Sequence, residues 1–403
     1  MFASSGCDVL AVDLSEKVVD NLNAGRITIE EPGLAELVAD AVAAGKLRAA
    51  LAPEPADAFI IAVPTPFVDD GSRACDLSYV MAAVESVLPV LEEGNLLVVE
   101  STIAPRSIDD FVVPAVEAAG FRVGESVFVA HCPERVLPGK IIYELVHNNR
   151  IIGGVTPACT AAATELYRTF VVGEILQTEA KVAELSKCME NTFRDVNIAL
   201  ANELAMVCDE LDIDCLEVIR LANKHPRVNL HTPGPGVGGH CLAIDPYFIC
   251  AKAPETAKLI KLARDINCGM PEFVCGKVDA HFAARGIAPK SAKVVALGVT
   301  YKGNIDDCRQ SPAMDAIALL EERGYSVAVF DPHVEQYGCS DPKVLFEGAD
   351  LAIVLTDHNE FKGDALGEFV AAMRTPIIYD TRNIVSTELV GAQVYNFGNG
   401  YEF

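Results

Sequence analysis

Short apolar runs that end on a polar residue, with helical patterns between them, set the tightest limit on how this 403-residue chain folds. A run of about four to six apolar residues is the length of a strand buried on both faces. Asp8–Asp13, Ala58–Val63, Asn95–Glu100 and Val127–His131 read as such strands. They lead into Asp13, Pro64-Thr65-Pro66, Ser101-Thr102 and Cys132-Pro133-Glu134. Alternation of strand and helix builds an α/β domain with a largely parallel sheet. Ligands of such sheets bind beyond the carboxyl ends of the strands, so these end residues are candidates by position. A second α/β pattern begins near Lys293, with strands Val294–Gly298, Ser326–Asp331, Leu351–Leu355 and Ile377–Tyr379 and a helix Ala313–Arg323. Between the halves, Thr178 to Ala222 has helical periodicity, few glycines and no proline, and reads as long helices that join them.

The length exceeds one ordinary core and fits two or three domains. No apolar run reaches the roughly 18–20 residues of a bilayer span. No basic and apolar leader opens the chain, so a cytoplasmic location without membrane contact is expected. The net charge of −25 argues against a nucleic-acid partner, which needs a basic face. The 13 cysteines form no Cys-x-x-Cys pair and no Cys/His cluster at zinc spacing. They read as reduced thiols, mostly core filler, and no metal site is expected.

The first residues, Met1 to Asp8, read as the end of a helix and a turn into a strand that closes on Asp13. In a dinucleotide-binding unit an acid at that strand end bonds the adenosine ribose, and a Gly-x-Gly-x-x-Gly turn comes earlier. The acid is present and the glycine turn is not. The expectation is a chain that starts late, short of roughly 15–20 residues. The alternative is that Asp13 is an ordinary strand-end acid.

Three stretches invite chemistry. In Gly234-Pro235-Gly236-Val237-Gly238-Gly239-His240-Cys241, the glycines let the backbone approach a ligand closely, and a cysteine follows at once. A helical turn starting at Cys241 brings Asp245 onto the same face. A thiol at a helix start is placed for a lowered pKa and for attack on an aldehyde. A glycine loop over a buried thiol is the plainer reading. Lys187 and Asn191 stand four apart on one helix face, where they either stabilise charge on a substrate oxygen or form a solvated face. Tyr301 to Pro312 carries Lys302 and Arg309 on a strand-end loop, ahead of a helix with Ser311 as cap and Pro312 at its first position. Helix capping and a phosphate site are both open there.

Together these stretches resemble the UDP-glucose/GDP-mannose dehydrogenase family over essentially the whole chain. The match includes Val63-Pro64-Thr65-Pro66, Glu100-Ser101-Thr102, Cys132-Pro133-Glu134-Arg135, Glu184 to Asn191, the Gly-Gly-His-Cys loop and Lys302 to Pro312. His225-Pro226-Arg227-Val228-Asn229 followed by Pro233–Pro246, Cys132–Gly139, Phe193–Ala199 and Asp357-His358 with Phe361 are similar to the branch that oxidises UDP-N-acetyl-D-mannosamine; UDP-N-acetylglucosamine is the nearest alternative substrate, and a non-catalytic UDP-sugar-binding fragment short of its cofactor strand is the alternative of another class.

The resemblance implies two Rossmann-like doubly wound domains joined by a central helical segment. Residues 1–177 would bind NAD, 178–282 would form a helical dimerisation and catalytic segment, and 283–403 would bind the UDP-sugar. Cys241 would be the nucleophile, forming first a thiohemiacetal and then a thioester. Lys187 and Asn191 would stabilise the substrate oxyanion, and Asp245 would assist the proton steps. Thr102 and Glu134 would orient the hydrolytic water. Asp13, Thr65 and Thr102 would line the cofactor. Glu134, Arg135, Lys187, Asn191, Gly238, Lys302 and Arg309 would contact the substrate, and Arg227 would reach the site of a neighbouring subunit in a homodimer.

Overall fold

The computed structural model describes residues 1–403 except Glu30, Asp69 and Pro138, together with the side chain of Glu402. Pro138, part of the Cys132–Gly139 motif, therefore lies outside the described residues. The chain divides into Met1–Glu190 and Asn191–Phe403.

Among the described residues the first unit holds two sheets. Strands β1 (Val9–Val12) and β2 (Leu47–Ala50) pair in parallel. Strands β3 (Ala58–Ile61), β4 (Leu96–Val99), β5 (Phe128–His131), β6 (Arg150–Gly154) and β7 (Ile175–Glu179) form a second sheet in that order. It is parallel except where β6 runs against β5. Its helices are α1 (Glu16–Asn23), α2 (Leu34–Ala43), α3 (Ser78–Val87), α4 (Val113–Ala118), α5 (Ile141–His147) and α6 (Pro157–Tyr167). Successive strand residues face opposite sides. Leu97 and Val99 accordingly join Val80, Val84 and Val87 of α3 in one core. Leu96 and Val98 join Ala163 and Tyr167 of α6 in another. Each fully buried Val or Leu contributes about 1.5–3 kcal/mol.

Helix α7 (Ala180–Glu210) has 31 residues, about 46 Å at 1.5 Å per residue, and crosses the division between the units. Its buried Glu184 accepts the backbone N–H groups of Arg106 (2.5 Å) and Ile108 (2.8 Å), fixing the head of the helical segment that runs into α4.

The second unit continues with α8 (Cys215–Ala222), α9 (Asp245–Lys252) and α10 (Lys258–Ala284). Its sheet contains β8 (Lys293–Leu297), β9 (Ser326–Phe330), β10 (Leu351–Val354), β11 (Ile377–Asp380) and β12 (Gln393–Asn396), with α11 (Pro312–Glu322) after β8. The order is β12-β11-β10-β8-β9, all parallel. Val294 and Ala296 face one core, Val295 and Leu297 the other. Both units are α/β, as the alternating pattern requires. Ser311 caps α11 by accepting from Ala313 N at 3.3 Å, with Pro312 at the first position. The strands β2, β6, β7 and β12 lie outside the sequence expectation. Leu47-Arg48-Ala49-Ala50 has no β-branched residue, and β6 ends in two glycines.

Candidate active site

The segment from Gly234 to Pro246 lies in the second unit. Gly236 (φ +130°) and Gly239 (φ +88°) sit in the region that favours glycine. A Cβ on Gly238 would stand 2.2 Å from the Gln310 carbonyl oxygen, and one on Gly239 2.9 Å from the Tyr301 ring. The glycines thus let this backbone press against the 301–312 loop. Cys241 is exposed, and its carbonyl accepts from Ile244 N (3.0 Å) and Asp245 N (2.9 Å). The thiol therefore heads a single turn, and helix α9 begins four residues later at Asp245, with Pro246 in its first turn. The helical turn expected from Cys241 to Asp245 is present, and only the helix proper starts later than expected, at Asp245, because Pro246 has no N–H to extend it from further back. The buried Asp245 carboxylate accepts from Asn191 Nδ2 at 2.6 Å, so α7 holds the base of this turn.

On the facing loop, Arg309 grips Asp307 through Nε and Nη2, both at 2.9 Å. That bond chiefly, with the Arg309 N–H and the nearby His240, holds the Asp307 carboxyl down at about 2. His240 Nε2 lies 3.3 Å from Asp307, linking the cysteine segment to this loop. Lys302 is exposed. Its loop is braced from below: Gly303 N donates to Asp357 Oδ1 (3.1 Å) and Asn304 N to His358 Nδ1 (2.9 Å). His358 Nε2 in turn meets the buried Asp331 at 2.9 Å. His333, His358 and Glu360 stand together, but both nitrogens of His358 are committed to this brace. Arg227 is exposed in the loop after α8.

In the first unit, Asp13 follows β1, exposed, with Oδ1 accepting from Ser15 N at 2.8 Å. Ser101 Oγ accepts from Val63 N (2.8 Å) and donates to Val63 O (2.7 Å). This tie draws together the loops carrying Thr65 and Thr102 at the carboxyl ends of β3 and β4. Glu134 accepts from its neighbours' N–H groups at Arg135 (2.6 Å) and Val136 (3.1 Å) and from Arg150 Nη2 (3.0 Å). Arg135 pairs with Glu190 near the middle of α7 (2.6 Å). Lys187 is half-buried on the same helix.

Sequence reasoning missed the centre of this cluster. Arg150 is buried, lies 3.5 Å from Glu100 and sits over the Tyr167 ring at 4.9 Å. Tyr167 donates to Glu100 at 2.5 Å. Burial pushes the Glu100 carboxyl up, against the pull of Tyr167 and Arg150. Burial also lifts the Cys132 thiol to about 12, an inert group beside Arg150. His131 is buried, and burial with the added charge of Lys187 holds its imidazole down at about 4. The only signal for this cluster was the polar content of strand ends, which does not say which arginine would be buried among them.

Comparison with known proteins matches three domains of one family in order. Residues 1–171 match the NAD binding domain of the UDP-glucose/GDP-mannose dehydrogenase family, 181–268 its central domain and 295–387 its UDP binding domain. The UDP-N-acetyl-D-mannosamine dehydrogenase of Methanococcus maripaludis (strain C7) is 45% identical over 99% of this chain and 93% of its own. The structure of the UDP-N-acetyl-mannosamine dehydrogenase from S. aureus is 52% identical, with a TM-score of 0.91 over 100% of this chain and 96% of that one. The corresponding structure from Pyrococcus horikoshii is 41% identical, with a TM-score of 0.93 over 99% and 96%. With an exposed cysteine set on a glycine-built turn, NAD-binding and UDP-binding domains on either side in sequence, and relatives of this identity over nearly its full length, the chain belongs to the UDP-glucose/GDP-mannose dehydrogenase family.

Proposed function

We propose that this chain oxidises UDP-N-acetyl-D-mannosamine at C6 to UDP-N-acetyl-D-mannosaminuronate, with NAD as acceptor. The observation that carries the reading is Cys241, exposed at the head of a turn whose base is fixed by Asn191 and Asp245. The relatives' names supply the substrate. NAD, when bound, supplies the hydride acceptor for both oxidations. Asp13 fits its ribose, as an exposed acid at a parallel strand end, with Thr65 and Thr102 on the loops after β3 and β4.

A first two-electron oxidation converts the C6 alcohol to an aldehyde. The Cys241 sulfur then bonds the aldehyde carbon while the carbonyl oxygen takes up a proton, giving a thiohemiacetal. A second two-electron oxidation gives the thioester. Water adds to it, the C–S bond breaks, and Cys241 leaves as the thiol with the carboxylate released. The covalent bond keeps the aldehyde from escaping between the two oxidations. Lys187 and Asn191 stabilise the negative charge that develops on the substrate oxygen. Asp245 assists the proton steps, and Thr102 and Glu134 orient the water. Glu134, Arg135, Gly238, Lys302 and Arg309 contact the UDP-sugar.

The domain assignment follows the same reading: 1–177 for NAD, 178–282 for the helical segment and 283–403 for the nucleotide sugar. The partner is a second copy of the chain. Val182, Leu185, Met189, Phe193, Leu200 and Val207 recur at helical spacing along α7 and are exposed, Phe193 by 66%. Arg227 would reach the partner's substrate. No described helix is long and apolar enough to cross a membrane, and a cytoplasmic location is proposed. The test is the initial rate of NADH formation with UDP-N-acetylmannosamine, UDP-N-acetylglucosamine, UDP-glucose and GDP-mannose. A clear preference for the first supports the reading; equal or higher rates with another sugar overturn the substrate.

A further inference from the structure

The segment that carries Cys241 is tied at its entry to a buried chain of polar groups that the proposed chemistry leaves unused. Gly234 N donates to Asn202 Oδ1 at 2.9 Å. Asn202 Nδ2 donates to Asn267 Oδ1 at 2.8 Å. Asn267 Nδ2 donates to Asp195 Oδ1 at 2.8 Å and to the Asp195 carbonyl at 3.0 Å. Arg264 Nη1 closes on Asp195 Oδ1 at 2.6 Å. Asn202 and Asp195 are fully buried, Asn267 is 1% exposed and Arg264 2%.

The chain has a direction. It starts at a backbone N–H, which needs an oxygen, and ends on a carboxylate, which needs donors. Between those ends only one orientation of each amide pairs donor with acceptor along the chain, while Asp195 Oδ2 and Arg264 Nε have no hydrogen-bond partner among the described residues. Turning either amide sets oxygen against oxygen among buried groups, which costs more than a lost hydrogen bond. The far end of the segment is held by the same residues. Arg264 lies over the ring of Tyr247, 5.5 Å from its centroid, and Tyr247 follows Asp245-Pro246 directly in α9. Gly236 also runs close to this frame, since a Cβ there would stand 3.2 Å from the Asn267 carbonyl oxygen.

We propose that Asn202, oriented by Asn267 and Asp195, is a positioning residue that sets the geometry of the Cys241 turn through the backbone of Gly234. The proposal deepens the reading of Cys241 as nucleophile and rests on it. Asn202 acts at a distance along the segment, and small displacements of a nucleophile carry large rate penalties.

Asn202→Asp tests it. The new carboxylate keeps the shape and still accepts from Gly234 N, but it cannot donate to Asn267. Asn267 must then face an oxygen or turn its own oxygen onto Asp195. Two readouts are compared with the parent at a temperature where circular dichroism shows each protein folded. One is the rate at which iodoacetamide alkylates Cys241, followed by peptide mass spectrometry; the other is kcat and KM. Asn202→Asp should change the alkylation rate by roughly threefold or more and lower kcat roughly tenfold with KM within about twofold. Unchanged alkylation and kcat, or a loss confined to KM, overturns the proposal. Alkylation needs no turnover, so a parent without dehydrogenase activity would count against the proposed reaction and leave this test intact. Should Asn202→Asp not fold, hydrogen exchange on the unaltered protein decides. The Gly234 amide should exchange roughly a hundredfold more slowly than that of exposed Thr232, and comparable exchange overturns the proposal.

Discussion

Strands β1 and β10 differ by one residue in composition, Val9-Leu-Ala-Val12 against Leu351-Ala-Ile-Val354, yet only one is sealed. All four residues of β10 are buried, between β8 and β11 and between two apolar cores. In β1 none is buried, and Val12 is 44% exposed beside its single described partner, β2. Burial is therefore conferred by neighbours in the sheet rather than by the strand's own composition. The proposed chemistry follows the same division. The cysteine segment stands on the sealed unit, with its backbone pressed on the 301–312 loop, while Asp13 projects from the thinly covered pair.

The largest effect should come from a change that leaves this packing alone. Cys241→Ser should lower carboxylate formation by at least about a thousandfold while calorimetry still registers UDP-sugar binding and the thermal transition stays put. Full turnover in that variant would sink the covalent route. Ile353→Ala, in the sealed strand, should cost about 3 kcal/mol in denaturant unfolding. A loss under about 1 kcal/mol would mean that the core around β10 is looser than its burial indicates.

His131 gives a pH-dependent contrast. Its buried imidazole sits at about 4 against an ordinary 6.5, so the unfolded chain takes the proton first. Stability from the neutral ring is whole above pH 6.5 and falls as the pH drops from there toward 4, by at most about 1.4 kcal/mol per pH unit. His131→Leu should flatten that part of the curve, and an unchanged slope would place the titration elsewhere. The smallest effect is expected at Val12→Ala, under about 0.5 kcal/mol by the same unfolding assay. A loss as large as that of Ile353→Ala would erase the distinction between the two strands.

Much of this was legible in the residues. Runs such as Leu96–Val99 have the length and apolar content of a doubly covered strand, and Ser311-Pro312 announces a helix start locally. Strand β2 was not legible, because Leu-Arg-Ala-Ala has no strand preference of its own and is recruited by β1. Nor was the burial of Arg150, which depends on Glu100, Glu134 and Tyr167 arriving from distant parts of the chain. The glycine segment pointed to Cys241, but the frame beneath it joins residues 65 apart in sequence, Asn202 and Asn267, and no local pattern carries that pairing.

The central claim is a four-electron oxidation through Cys241, and stoichiometry tests it most directly. With UDP-N-acetylmannosamine limiting and NAD in excess, the account predicts two NADH and one carboxylate per sugar consumed, with a sugar adduct on the Cys241 peptide in rapidly quenched samples. One NADH per sugar with free aldehyde in solution, or two NADH with no adduct at Cys241, would contradict it.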